Sequence, residues 1–241
     1  MSEKRKVGAR VRQVWNNTLK KVNWTYALGE VFLIFIGISL AISFSNWNER
    51  RAAKVVEMET LKELKDGLEK DLQDIKVNIV GHGGRVRAYQ WVIDKWEAKA
   101  TKLDSLEIVL PFFIGTTTFI TNTAPYEMLK SRGLEIISND SLRLDLLTYY
   151  DITQEWIVNN EQRHINHHRE YIKPLLLKHM RYQERRYQIV DTTLLLADEQ
   201  ISPILQWAHR NDSYILGLYH QAERDVEDLI NLLSEEIDQL Q

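Results

Sequence analysis

From Tyr26 to Trp47 the chain reads YALGEVFLIFIGISLAISFSNW, 22 residues in which Glu30 is the one charged side chain. In a bilayer every backbone amide must be paired within the segment, so a run of this kind is a helix or it is not in lipid. As a helix it measures about 32 Å, against about 30 Å for the hydrocarbon core of a membrane. Trp24 and Tyr26 at one end and Trp47 at the other are the aromatic residues expected at the two interfaces. The run therefore predicts a single transmembrane helix over 26–48. A cleaved signal peptide is the competing reading, since Ala41, Ile42 and Ser43 form a small-x-small step, but 25 residues is long for the charged segment that would precede it.

Charge sets the expected orientation. Residues 1–25 carry seven basic side chains (Lys4, Arg5, Lys6, Arg10, Arg12, Lys20, Lys21) against Glu3 alone. After the run, Arg50, Arg51 and Lys54 are mixed with Glu49 and Glu57. Basic excess marks the cytoplasmic side, so the N-terminus is expected inside and residues 49–241 outside, in the periplasm of a cell whose inner membrane holds the anchor. Within 1–25, Val7, Val11, Val14, Trp15, Thr18, Leu19 and Val22 recur at helical spacing among the cations, which predicts a basic amphipathic segment on anionic lipid. Residues 49–241 hold 24 Lys and Arg against 32 Asp and Glu, a net charge of −8 that gives no footprint for nucleic acid. Cysteine is absent, which removes disulfides, thiolate metal sites and cysteine nucleophiles together.

The outer region, 49–241, reads as all-α. Only four prolines and ten glycines occur in 241 residues, too little punctuation for a turn-rich β architecture. Leu61, Leu64, Leu68, Leu72, Ile75 and Ile79 keep helical spacing beyond the span. This predicts one long juxtamembrane helix, expected to break at Gly81-His82-Gly83-Gly84 before a second helix over 85–100. Residues 105–121 read as a packed loop or small hairpin. Thr123 and Asn139 are candidate N-caps, with Tyr126, Leu129, Leu142, Leu146 and Tyr150 as packing residues. A long helix then runs toward Pro174 and another from Pro174 to about Tyr187. Residues 191–201 read as a connection, Ser202-Pro203 as the start of a short helix, and Asp212–Leu240 as a final long one with Leu218, Ala222, Val226, Leu229, Leu233, Ile237 and Leu240 along one stripe. The expected architecture is a transmembrane helix continuing into an extracytoplasmic helical bundle.

The anchor motif Tyr26-Ala-Leu-Gly-Glu30, the span end Ser45-Asn46-Trp47-Asn48-Glu49, and the later Tyr126-Glu-Met-Leu-Lys-Ser-Arg-Gly133, Leu142-Arg143 and Tyr149-Tyr150 resemble an uncharacterised family. Its members are small single-pass membrane proteins of Gram-negative bacteria, grouped as a domain of unknown function. Pro125 and Arg132 stand where that family often has other residues. The resemblance implies membrane residence and a helical outer domain, and brings no activity, cofactor or catalytic residue with it.

Candidate chemistry is thin. Glu161, His164 and His168 share a helix face and give one Glu-x-x-His step, but a di-iron bundle needs a second copy and two further glutamates, and the chain has no such copy. They are weak metal candidates beside the expectation of a solvated histidine-rich face. Most carboxylates are expected on solvated faces, and Trp91, Trp96, Trp156 and Trp207 at core spacing. No cofactor and no catalytic residue is assigned. Glu30 differs, because a carboxylate inside a span is costly and often functional. With Ile34, Gly37, Ala41 and Ser45 it lies on one helical stripe, small toward its end, which suits self-association of the span. The expected function is that of an interaction protein rather than an enzyme: a homo-oligomeric scaffold or sensor-like subunit binding a protein or envelope component. An accessory subunit of an ion-coupled envelope machine, working through Glu30, is the alternative, and a metal-dependent enzyme using His164 and His168 the third.

Overall fold

The computed structural model describes residues 23–100, 109, 112, 113, 115–183 and 186–241. The amphipathic segment expected over 1–25 lies almost wholly outside these residues, as does much of 101–114. The chain divides into two compact units at Val55/Val56. Helices dominate, in keeping with the all-α expectation: α1 (Trp24–Glu97), α2 (Ala124–Arg132), α3 (Asp140–Leu147), α4 (Glu155–His167), α5 (Lys173–Lys178), α6 (Thr192–Ala197) and α7 (Ile201–Leu240). One antiparallel hairpin interrupts them, β1 (Met180–Gln183) with β2 (Arg186–Ile189), in register Met180↔Ile189 and Tyr182↔Tyr187.

In the first unit the apolar run of α1 is exposed on all sides, from Phe32 and Leu33 to Ile42 and Phe44. It is long and apolar enough to cross a membrane. Glu30, Ile34, Gly37, Ala41 and Ser45 all lie on it and are all exposed, with open space around Gly37.

In the second unit α1 changes its pattern. Its buried positions alternate by four and three residues: Glu57, Leu61, Leu64, Leu68, Asp71, Ile75, Asn78, His82, Arg85, Tyr89, Val92. α7 keeps the same step through Leu205, Ala208, Asp212, Ile215, Tyr219, Ala222, Val226, Leu229 and Leu233. A mean spacing of 3.5 keeps a seam facing its partner along a long helix. Arg85 meets Asp212 and Lys76 meets Glu227, so the two seams run antiparallel. Residues 140–178 wrap this pair as one continuous helical run, α3 to α5, loosened by π-helical turns at Thr148–Gln154 and His168–Ile172. One apolar core gathers Leu61–Ile75, Tyr126, Leu142, Leu146, Tyr149, Tyr150 and the C-terminal half of α7, and a second gathers Ala88–Ile93 with Ile172, Leu175, Leu176 and Leu205.

Several expectations fail. Gly81, Gly83 and Gly84 do not break α1. A Cβ on Gly84 would lie 2.3 Å from the Phe112 ring and one on Gly81 2.9 Å from Thr117 Cγ2, so these glycines open the helix surface for the returning chain. After Pro174 the helix stops at Lys178 and the hairpin takes residues 180–189. Within 191–201, Asp191 caps a short helix by accepting from the Thr193 and Leu194 amides. Pro203 sits in the first turn of α7, where it forfeits no helical hydrogen bond, so 201–240 is one helix. Trp96, Trp156 and Trp207 are substantially exposed, and the aromatics buried among the described residues are Tyr89, Phe113, Phe119, Tyr126, Tyr149, Tyr150 and Tyr219.

Asn139 does cap α3, accepting from the Ser141 and Leu142 amides, whereas the Thr123 side chain makes no such bond to α2. Tyr126, Leu129, Leu142, Leu146 and Tyr150 are all buried, as their spacing predicts, and the rings of Tyr126 and Tyr150 stack at 4.3 Å.

Candidate functional site

The heptad seam of α1 contains five polar residues, and a buried polar group must find a partner or destabilise the fold. Three are answered by irregular backbone or its flanks. Glu57 accepts the Ser138 amide at 2.6 Å. Asp71 accepts the Asn122 amide at 2.8 Å, the Tyr149 hydroxyl at 3.0 Å and the Gln154 amide group at 2.6 Å. Asn78 donates to the Thr118 carbonyl at 3.3 Å and accepts from the Thr117 hydroxyl at 2.6 Å. Side chains of the helices thus meet backbone groups of the 115–123 stretch: Glu161, Asp74 and Asp71 accept the Phe119, Ile120 and Asn122 amides, and Asn78 donates to the Thr118 carbonyl.

The remaining two, His82 and Arg85, face Asp212 of α7 and Glu161 and His164 of α4, all at most 3% exposed. Arg85 Nε donates to Asp212 Oδ1 at 2.9 Å. His82 Nδ1 stands 2.7 Å from the same oxygen and 2.7 Å from Arg85 NH2. These two contacts compete, because the nitrogen can donate to the carboxylate or accept from the guanidinium but not both. His82 Nε2 lies 3.5 Å from Glu161 Oε1, and His164 Nε2 lies 3.6 Å from Asp212 Oδ2. Both are too long for hydrogen bonds. His82 Nε2, His164 Nε2 and Asp212 Oδ2 are thus buried polar atoms without a hydrogen-bond partner.

Electrostatics separates the two buried aspartates. Burial raises the Asp71 pKa, and hydrogen bonds from Asn122 and Tyr149 only partly offset it. Burial pushes Asp212 the same way, but the His82 hydrogen bond and the charges of His164, Arg85 and His82 outweigh it and hold that carboxyl below the usual range. Burial lowers the His164 pKa to about 4, opposed by Asp212 and assisted by Arg85, His82 and His168. His168 is also lowered by burial, against the pull of its bond to the Phe113 carbonyl. Tyr219 is pushed up by burial and by Glu161, so its hydroxyl stays a donor to that carboxylate.

The expected solvated histidine face is therefore overturned, since Glu161, His164 and His168 are buried. They do not form a metal-ligand set either. Glu161 takes the Phe119 amide and the Tyr219 hydroxyl, His164 Nδ1 takes the Asn211 amide group at 2.7 Å, and His168 Nε2 donates to the Phe113 carbonyl at 2.6 Å. Among the described residues no group of three or more His, Asp or Glu side chains is placed to hold a metal ion. Asp71, His82, Arg85 and Asp212 were missed as core polar residues, yet their position on 3.5-spaced apolar stripes was a signal for them. No family model, curated protein or solved structure matches the chain.

Proposed function

We propose that the chain is a single-pass inner-membrane protein of a Gram-negative envelope, as its resemblance to that single-pass family implies, and that its helical domain is a periplasmic interaction module rather than an enzyme. The observation that carries the reading is the apolar run of α1, a surface of exposed Leu, Ile and Phe on every side that water would not tolerate but lipid would. The partner is a protein or envelope component, and the span itself pairs with a second copy through Glu30, Ile34, Gly37, Ala41 and Ser45.

The topology is tested by reporters fused after Gln241. A periplasm-only reporter is expected to be active and a cytoplasm-only one silent, and the reverse would invert every assignment of sides. Self-association is tested with Ile34→Cys, which is expected to crosslink to itself in membranes because the native chain has no thiol. Leucine at both Gly37 and Ala41 is expected to abolish that crosslink, while leucine at Ser39 and Ser43 spares it. Glu30→Gln leaves a scaffold working, whereas loss of function on that change would favour the ion-coupled subunit.

A further inference from the structure

We propose that Trp47, Arg50, Arg51 and Lys54 form a clamp for the phosphate of an anionic phospholipid, in the leaflet at the C-terminal end of the span. The inference rests on the single-pass reading of α1, and adds to it a lipid class and the residues that select it. The four positions are separated by three, one and three residues, so they share one face of α1. All four are exposed, and they begin where the apolar run ends.

In sequence these cations stand among acids, but the structure separates the two. Glu49 accepts the Ser45 hydroxyl at 3.2 Å, on the opposite side of the helix. Glu57 is buried and accepts the Ser138 amide. Among the described residues no carboxylate pairs with Arg50, Arg51 or Lys54. Exposed cations elsewhere do find acids, as in Lys76 with Glu227, Lys130 with Asp151 and Arg143 with Asp140. Three unneutralised cations in one short stripe, at the end of an apolar run, are answered by an anion that sits at the edge of lipid.

Their direction and depth fit a headgroup. Side chains on an α-helix lean toward its N-terminus, so all three cations lean back toward the apolar run. The Arg51 guanidinium lies over the Trp47 ring, 5.8 Å from its centroid. Arg50 and Arg51 rise only about 4–6 Å beyond Trp47 along the axis, within the headgroup layer that flanks the hydrocarbon core. A guanidinium presents parallel N–H donors to two oxygens of one phosphate, and Lys54 adds a third charge from the water side. The same stripe continues into the span as Leu40, Ser43 and Phe44. It lies about a third of a turn around from Glu30, Ile34, Gly37, Ala41 and Ser45. Acyl chains can therefore lie below the clamp while the other side of the span is paired.

The test captures the lipid in place. The full chain carrying Ser43→Cys, its only thiol, is labelled with a benzophenone and reconstituted in phosphatidylcholine vesicles holding a minority of phosphatidylglycerol. After irradiation the lipid adducts are counted by mass spectrometry. Phosphatidylglycerol is expected to be captured at least about fivefold above its share of the vesicle, the factor that a single cation near an anionic surface supplies. Glutamine at Arg50, Arg51 and Lys54 together is expected to return capture to the bulk share, and glutamine at Lys4, Arg5 and Lys6 to leave the enrichment intact. Capture at the bulk share without these changes, or enrichment that survives the triple change at 50, 51 and 54, overturns the clamp while leaving the membrane reading in place. Loss of enrichment in the Lys4, Arg5 and Lys6 variant also overturns it, since charge anywhere on the chain would then suffice. A chain that yields no lipid adducts and does not partition with vesicles overturns both. Enrichment erased by inorganic phosphate, at an ionic strength matched with chloride, marks a free-phosphate site and overturns the lipid assignment.

Discussion

Asp71 and Asp212 are both completely buried, both sit on heptad seams of long helices, and both bind partners from other elements, yet their carboxyl groups are shifted in opposite directions. The partners explain it. Asp71 faces neutral donors, Asn122, Tyr149 and Gln154, which satisfy its oxygens without cancelling its charge. Asp212 faces a guanidinium and two imidazoles, which favour the ionised form enough to overcome burial. The Asp71 layer is a closed hydrogen-bond network that pins irregular backbone. The Asp212 layer is an ionic network with three unanswered atoms. Two buried aspartates on one fold are thus shifted in opposite directions, according to the charge of what they meet.

The strongest way to break this comparison is to remove the two acids in turn. Asp212→Leu strands the buried Arg85 charge and is expected to destabilise the chain by about 3–5 kcal/mol in urea unfolding in detergent. Asp71→Asn keeps the shape and leaves only neutral groups to rearrange, for a cost of about 1–2 kcal/mol at pH 7. Similar losses would erase the distinction.

The pH dependence sharpens it. A raised carboxyl such as Asp71 gives stability that is full below its unfolded value, about 3.9, and lost as pH rises through its higher folded value. The penalty of Asp71→Asn is therefore expected to shrink between pH 4 and pH 7. A depressed carboxyl such as Asp212 gives stability present above that unfolded value and lost as pH falls through the folded one. Opposite slopes in paired urea titrations check both.

The glycines beside the two layers differ as well. At Gly67, near Asp71, an added Cβ meets Pro125 Cγ at 3.3 Å, whereas at Gly84 it would meet the Phe112 ring at 2.3 Å. Gly84→Ala is expected to lower stability by about 1 kcal/mol, because displacing the ring outweighs the gain in helix propensity. Gly67→Ala is expected to be neutral or slightly stabilising, and thermal melts of the two variants side by side check both. Between the layers, Lys76 and Glu227 pair at 3.0 Å while half exposed, so Lys76→Ala should cost no more than about 0.5 kcal/mol.

The sequence alone determined the helical class, the apolar run over 26–48, the Asn139 cap, and the packing roles of Tyr126, Leu129, Leu142, Leu146 and Tyr150. These follow from local periodicity and composition, which act through neighbours three or four residues away. Tertiary structure decided what long-range contact controls. It turned the glycines at 81–84 from a break into a groove for Phe112 and Thr117, and turned the chain after Lys178 into a hairpin. It also exposed Trp156 and Trp207 while burying His164 and Asp212. A glycine reads as a helix breaker and a histidine as a surface residue only until another segment lands on it. Phe112, Phe113, residues 115–119, α4 and α7 come from distant parts of the chain, and the free energy of their meeting is not written in any local window of sequence.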